Sequence, residues 1–119
     1  MPTVEPVVVT PDAGALASFY ADLLDAEVVE RTLETGPAFA VTLQVDGLRL
    51  TLVTDEEVAT GDPGRVLLSI GVEDVAAAVG RLEDLGGTVL ARPQDMAWGE
   101  RVAHAQDPDG NALNLTQPL

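Results

Sequence analysis

The chain contains no cysteine, which excludes disulfides, thiolate metal sites and a cysteine nucleophile. It also lacks lysine, so its six bases are all arginines: Arg31, Arg49, Arg65, Arg81, Arg92 and Arg101. A single histidine, His104, and an aromatic content of 3% leave little material for an imidazole-rich metal centre or an aromatic-lined pocket. No apolar run approaches the roughly 20 residues that a membrane-spanning helix needs. Against the six bases stand 20 acids, giving a net charge of −14 at pH 7. That field repels phosphate backbones and anionic lipid, so neither a nucleic acid nor a membrane is expected as partner. The opening Met1-Pro2-Thr3-Val4-Glu5 has no basic or apolar leader pattern, and the expected location is cytoplasmic.

What remains is a chain of 119 residues, 46% of them hydrophobic, which is one domain's worth of core. Val4 to Thr10 is a β-branched strand ended by Pro11 and Asp12. Asp12 is placed to cap a helix whose apolar residues Leu16, Phe19, Tyr20, Leu23 and Leu24 recur at helical spacing. Ala26 to Thr32 is a second strand closed by Gly36-Pro37, and Phe39 to Val45 and Leu48 to Val53 flank the hairpin signal Asp46-Gly47. Residues 54–65 have no period and carry Gly61-Asp62-Pro63-Gly64, which makes them a linker. Val66 to Val72 follows as a strand, then a helix capped by Asp74, with Val75, Val79, Leu82 and Leu85 on one face and Gly86-Gly87 at its end. Thr88 to Ala91 is a short strand and Pro93 to Trp98 an irregular loop. Glu100 to Gln106 and Ala112 to Gln117 flank the turn Asp107-Pro108-Asp109-Gly110-Asn111.

Both halves therefore run β, α, β, β, β. Their landmarks recur at nearly one offset: 62 for the capping aspartates (74 − 12) and 63 for the Asp-Gly pairs (109 − 46). Duplication explains that coincidence. The expected fold is α+β, a single domain 1–119 with module one at 1–53, a linker at 54–65 and module two at 66–119. Pairing the two βαβββ modules would bury the helix-facing side of each sheet and leave the other faces curling toward each other around a cleft.

Several of these residues match a known pattern. Asp12 with Phe19-Tyr20, the pair Gly86-Gly87, and Trp98-Gly99-Glu100-Arg101 leading into Asp107-Pro108-Asp109-Gly110-Asn111 resemble the vicinal oxygen chelate superfamily of glyoxalase I, bleomycin-resistance proteins and extradiol dioxygenases. The resemblance spans nearly the whole chain and is most specific at its C-terminal stretch. It implies a U-shaped mixed sheet with the helices on its outer face, a ligand in its concave cleft, and a homodimer. In metal-dependent members, four ligands occupy the first and last strands of each module. The Phe-Tyr and Gly-Gly landmarks place two of those positions at Glu5 and Leu67, the last strand of module two gives Asn114, and the internal offset of 63 returns Thr51. One carboxylate, a hydroxyl, an amide and a leucine are a poor replacement for the anionic and imidazole ligands of a catalytic divalent ion. The expectation is therefore no metal and no cofactor, and a small-molecule binding protein nearer the bleomycin-binding branch. Its ligand would be an anionic or planar metabolite or antibiotic. A divalent-metal-dependent lyase or isomerase of the same superfamily is the alternative, and any enzymatic activity would be glyoxalase-like lysis.

Arg49 alternates with Leu48 and Leu50, so period two points it into the cleft with Thr51 and Val53. Arg101, in phase with Ala103 and Ala105, is expected on the cleft face as well. Two such guanidinium groups suit a carboxylate or other anion, or else each pairs with one of the many acids of the chain. Asn114 completes the expected ligand-binding set with Glu5, which is otherwise an ordinary strand-start carboxylate. Trp98 serves either as a stacking wall or as a plug at the cleft mouth or dimer seam. His104, out of phase with Arg101, is read as structural or interfacial, with a ligand-facing role as the other possibility. No catalytic residue is assigned.

Overall fold

A computed structural model describes residues 5–33, 38–61 and 66–119. The expected strand start at Val4, the Gly36-Pro37 turn and the linker segment Asp62 to Arg65 lie outside these residues. The elements run β1 (Val7–Thr10), α1 (Ala13–Leu24), β2 (Glu27–Leu33), β3 (Ala38–Val45), β4 (Leu48–Thr54), β5 (Leu68–Gly71), α2 (Val75–Asp84), β6 (Thr88–Asp95), β7 (Glu100–Gln106) and β8 (Ala112–Pro118). The chain divides into two compact units, Met1–Ala59 and Thr60–Leu119. Each holds one helix and a four-stranded mixed sheet, in the order β1-β4-β3-β2 in the first unit and β5-β8-β7-β6 in the second. The twofold βαβββ order expected from the repeat is the order of the structure.

The repeat extends to the chemistry that starts each helix. Asp12 and Asp74 both hold extended backbone and accept a hydrogen bond from the amide three residues on, Ala15 N and Ala77 N, which satisfies one of the unpaired donors of a first turn. The first helical amide of each unit is bound from the last strand. Ala13 N donates to Thr54 Oγ1 at 3.0 Å and Val75 N donates to Gln117 Oε1 at 2.6 Å. The ends differ. Helix α1 closes on Asp25 in the left-handed region. Helix α2 gives way to Gly86 at φ +99° and then to Gly87, whose N–H bonds Leu82 O at 2.9 Å.

Helical period fills each core. Leu16, Phe19, Tyr20 and Leu23 are buried on α1, and Val75, Val79 and Leu82 on α2. Phe19 and Tyr20 meet edge to face with centroids 5.0 Å apart. Under α1 lie Val41, Leu43, Leu50 and Leu52; under α2 lie Ala103, Ala105, Leu113 and Leu115, all buried.

Three strands differ from the sequence expectation by more than one residue, the first being β1, which starts at Val7 and not at Val4. The region from Pro93, expected as an irregular loop, begins with three more residues of strand, because β6 runs on to Asp95 through register shifts between Val89 and Ala91 and between Ala91 and Gln94. Pro93 is tolerated there because β6 is an edge strand, where a missing N–H costs no ladder bond. Strand β5 is shorter than Val66 to Val72, since only Leu68 to Gly71 pair with β8.

Candidate functional site

In each unit one sheet face carries the helix and the other does not. Because side chains alternate along a strand, the register assigns every residue to a face. In the first unit Val41 pairs with Leu52 and Leu43 with Leu50, all against α1, while Thr42 pairs with Thr51 and Gln44 with Arg49 on the helix-free face. Strand β1 adds Val7 beside Thr51 and Val9 beside Val53. Glu5, exposed and just ahead of β1, keeps the phase of Val7 and Val9.

Arg49 lies on the helix-free face, as its alternation with leucine requires. It bonds the Glu30 carboxylate through Nη2 at 3.0 Å, and both side chains are substantially exposed. This single contact engages one of the five guanidinium donors. Thr51 and Thr42 form a side-chain hydrogen bond across β3 and β4, Oγ1 to Oγ1 at 2.9 Å.

The second unit repeats the construction with different chemistry. Ala103 pairs with Leu115 and Ala105 with Leu113 against α2, and His104 pairs with Asn114 on the helix-free face. His104 Nδ1 and Asn114 Oδ1 are 2.7 Å apart. These positions are the repeat equivalents of Thr42 and Thr51, at offsets of 62 and 63 (104 − 42 and 114 − 51). Leu67, ahead of β5, is about half exposed.

Arg101 requires a correction. It shares a phase with Ala103 and Ala105 as expected, but that phase faces α2 and not the helix-free face. The two alanines are buried because their small side chains let the helix approach the sheet, and a sequence cannot distinguish such residues from cleft lining. Arg101 bonds Asp95 through Nε at 2.7 Å. The hydrogen bond from Arg101 outweighs the desolvation of the carboxyl and, together with the Arg101 charge, holds Asp95 below its usual range. A carboxylate so shifted adds stability above its unfolded pKa and loses it as pH falls through the folded value. An NMR titration should find Asp95 protonating at lower pH than a free aspartate, and returning to the ordinary range in Arg101→Ala. An unshifted Asp95 in the unmodified chain would contradict the pairing.

Trp98 lies in the β6–β7 connection, 68% exposed, with its indole Nε1 donating to Glu100 Oε1 at 2.8 Å. Glu100 keeps the phase of Val102 and His104, so the indole stands at the end of the helix-free face. His104 and Thr42 were not among the expected ligand-binding residues. Counting outward from each hairpin would have found both, since the turns at Asp46-Gly47 and Asp107–Asn111 fix the pairs Thr42–Thr51 and His104–Asn114.

The donor set at the four positions that the resemblance assigns does not fit a divalent cation. The first unit offers the Glu5 carboxylate and the Thr51 hydroxyl, and the second offers the Leu67 alkyl chain and the Asn114 amide. Among the described residues no three or more His, Cys, Asp or Glu side chains cluster as a metal site. No helix among them is long and apolar enough to cross a membrane.

With this geometry in place, the chain can be set beside known proteins. An uncharacterised protein of Mycobacterium bovis is 28% identical over 99% of this chain and 84% of its own length. A glyoxalase/bleomycin resistance protein/dioxygenase family enzyme from Burkholderia phytofirmans superposes with a TM-score of 0.80 at 17% identity, covering 95% of each chain. The fosfomycin resistance protein FosX of Listeria monocytogenes superposes with a TM-score of 0.78 at 12% identity, over all of this chain and 94% of its own. Residues 3–115 match the family model described as Glyoxalase/Bleomycin resistance protein/Dioxygenase superfamily. The chain belongs to that superfamily.

Proposed function

We propose that the protein binds a small organic molecule on the helix-free faces of its sheets, without a divalent metal. The observation that carries this is the presence, at repeat-equivalent positions, of cross-strand polar pairs on the faces that the helices leave bare: Thr42 with Thr51 and His104 with Asn114. Arg49 supplies a guanidinium for an anionic group once Glu30 yields, and Trp98 supplies a planar surface. Glu5 adds a carboxylate at the β1 end. A planar or anionic metabolite, or an antibiotic of that chemistry, suits these groups. The candidate residues are Arg49, Thr51 and Glu5 on the helix-free face of the first unit and, taken separately, Asn114 and Trp98 on that of the second. Arg101 is left out because Asp95 holds it on the helix side.

The test is a melting-shift screen of planar and carboxylate-bearing metabolites, with each hit repeated in EDTA. Hits should survive EDTA and weaken about tenfold or more in Thr51→Val and Asn114→Leu, the loss of roughly 1.4 kcal/mol expected for a good hydrogen bond in a desolvated site. Binding that appears only with added nickel, zinc or manganese would instead favour the metal-dependent lyase or isomerase. A second copy of the chain and a cytoplasmic location are proposed with this function, the first to be measured by sedimentation.

A further inference from the structure

On the helix-free face of the second sheet, one row of residues crosses all four strands: Ser69 beside Asn114, Asn114 beside His104, and His104 beside Ala91. The equivalent row of the first unit reads Val7, Thr51, Thr42 and Glu30. Only the second row has an amide and an imidazole in contact, and small residues stand on both sides of them.

The contact fixes the imidazole. An amide oxygen accepts hydrogen bonds and never donates, so the 2.7 Å approach of Asn114 Oδ1 requires a proton on His104 Nδ1. In the neutral ring the other nitrogen, Nε2, then carries a lone pair directed away from Asn114. The Asn114 amide nitrogen keeps its two hydrogens, with no acceptor among the described residues. The pair therefore presents one acceptor and one donor, neighbours on an accessible surface, since His104 is exposed and Asn114 half-buried. Ser69, also exposed, adds a hydroxyl next to the amide.

Charge narrows the choice of ligand. Among the described residues of this unit, Arg92 pairs with Glu83 of α2, Arg101 pairs with Asp95, and Arg81 belongs to α2 itself. None of the three lies on the helix-free face. An anion placed there would meet a lone pair, no cation among the described residues of this unit, and the field of a chain with net charge −14.

We propose that His104 and Asn114 form a recognition dyad for a neutral ligand edge bearing a hydrogen-bond donor beside an acceptor, such as a primary amide, a lactam or a nucleobase-like ring. The assignment presupposes the small-molecule binding proposed above and specifies its chemistry at the second sheet. It makes Asn114 both a contact and the residue that positions the His104 ring.

Because the chain has one histidine, its imidazole nitrogens can be followed without assignment by long-range nitrogen–proton correlation NMR. The ligand-free protein at pH 8 should have the proton on Nδ1, and Asn114→Leu should move the ring toward the Nε2–H form. Three probes then test recognition: benzamide, N,N-dimethylbenzamide and benzoate. Benzamide should shift the Nε2 resonance and bind at least about tenfold more tightly than the other two, and His104→Phe and Asn114→Leu should remove that preference. Circular dichroism melting of both variants checks that they fold. An Nε2–H ring in the ligand-free protein overturns the proposal, and so do equal responses to the three probes. If the screened metabolites bind while benzamide shows no preference at His104, the dyad fails alone. If nothing binds and the Nδ1–H form is found, the small-molecule function fails and the dyad is reduced to a structural contact.

Discussion

Asp107→Ala is expected to lower the unfolding free energy by about 3 kcal/mol, because several hydrogen bonds to one buried charge are lost together. The melting temperature should fall by roughly 10 °C or more. Asp107 is only 1% exposed. Its Oδ1 accepts from the amides of Asp109 and Asn111, each at 2.9 Å, and its Oδ2 accepts from Asn111 Nδ2 at 2.7 Å. The backbone closes around the same residue, with Asp107 N donating to Asn111 O and Gly110 N donating to Asp107 O. The carboxylate thus holds the whole turn between β7 and β8, the turn whose register sets His104 opposite Asn114. Asp107→Asn keeps one acceptor but sets an amide NH2 against that of Asn111, so an intermediate loss of about 1–2 kcal/mol is expected. Urea denaturation of both variants measures the two values. An Asp107→Ala protein with native stability would remove the turn from the forces that organise this hairpin.

That carboxylate also marks the limit of what the sequence can convey. The turn itself was legible, because Asp-Pro-Asp-Gly-Asn is turn chemistry, and so were both helix caps, both helix core faces and the duplicated order. These features depend on residues a few positions apart, where the backbone has few choices. The burial of Asp107 depends instead on what packs over the turn, which no local pattern records.

Strand faces divide along the same line. On β4 the contrast between Leu50 and Leu52 on one side and Arg49 and Thr51 on the other settles which face the helix covers. On β7 the alternatives are Arg101, Ala103 and Ala105 against Val102, His104 and Gln106, and hydrophobicity hardly separates them. The covered face there is decided by α2, more than fifteen residues earlier in the chain, which packs closely against the two alanines. The expectation for Arg101 failed for that reason, and the same missing contrast left His104 undecided. The pair His104–Asn114 becomes visible only when the hairpin register is counted outward from the turn.

The two Asp-Gly pairs, which served as equal landmarks of the repeat, should respond very differently to the same substitution. Gly110→Ala is expected to destabilise by about 2–4 kcal/mol. Gly110 has φ +90°, where a side chain is strained by roughly 1 kcal/mol or more, and an added Cβ would lie 2.8–2.9 Å from the backbone of Gly61. Gly61 cannot retreat freely, since its N–H donates to Asp109 O at 2.7 Å. Two glycine backbones meet there with no room for a methyl group, and the contact ties the residue just before the linker's undescribed segment to the β7–β8 turn. At the other pair it is Asp46 that takes the left-handed conformation, at φ +51°. Gly47 has no positive φ, and nothing lies within 4 Å of the place where its Cβ would be. Gly47→Ala should therefore change stability by no more than about 0.5 kcal/mol, with a slight gain possible from the stiffer unfolded chain. Parallel thermal melts of the two variants give the comparison directly. Equal losses at Gly47 and Gly110 would mean that the Gly61 contact does not constrain the turn. A loss confined to Gly110 and well above the roughly 1 kcal/mol of backbone strain would tie the integrity of the His104–Asn114 hairpin to a residue more than forty positions earlier in the chain.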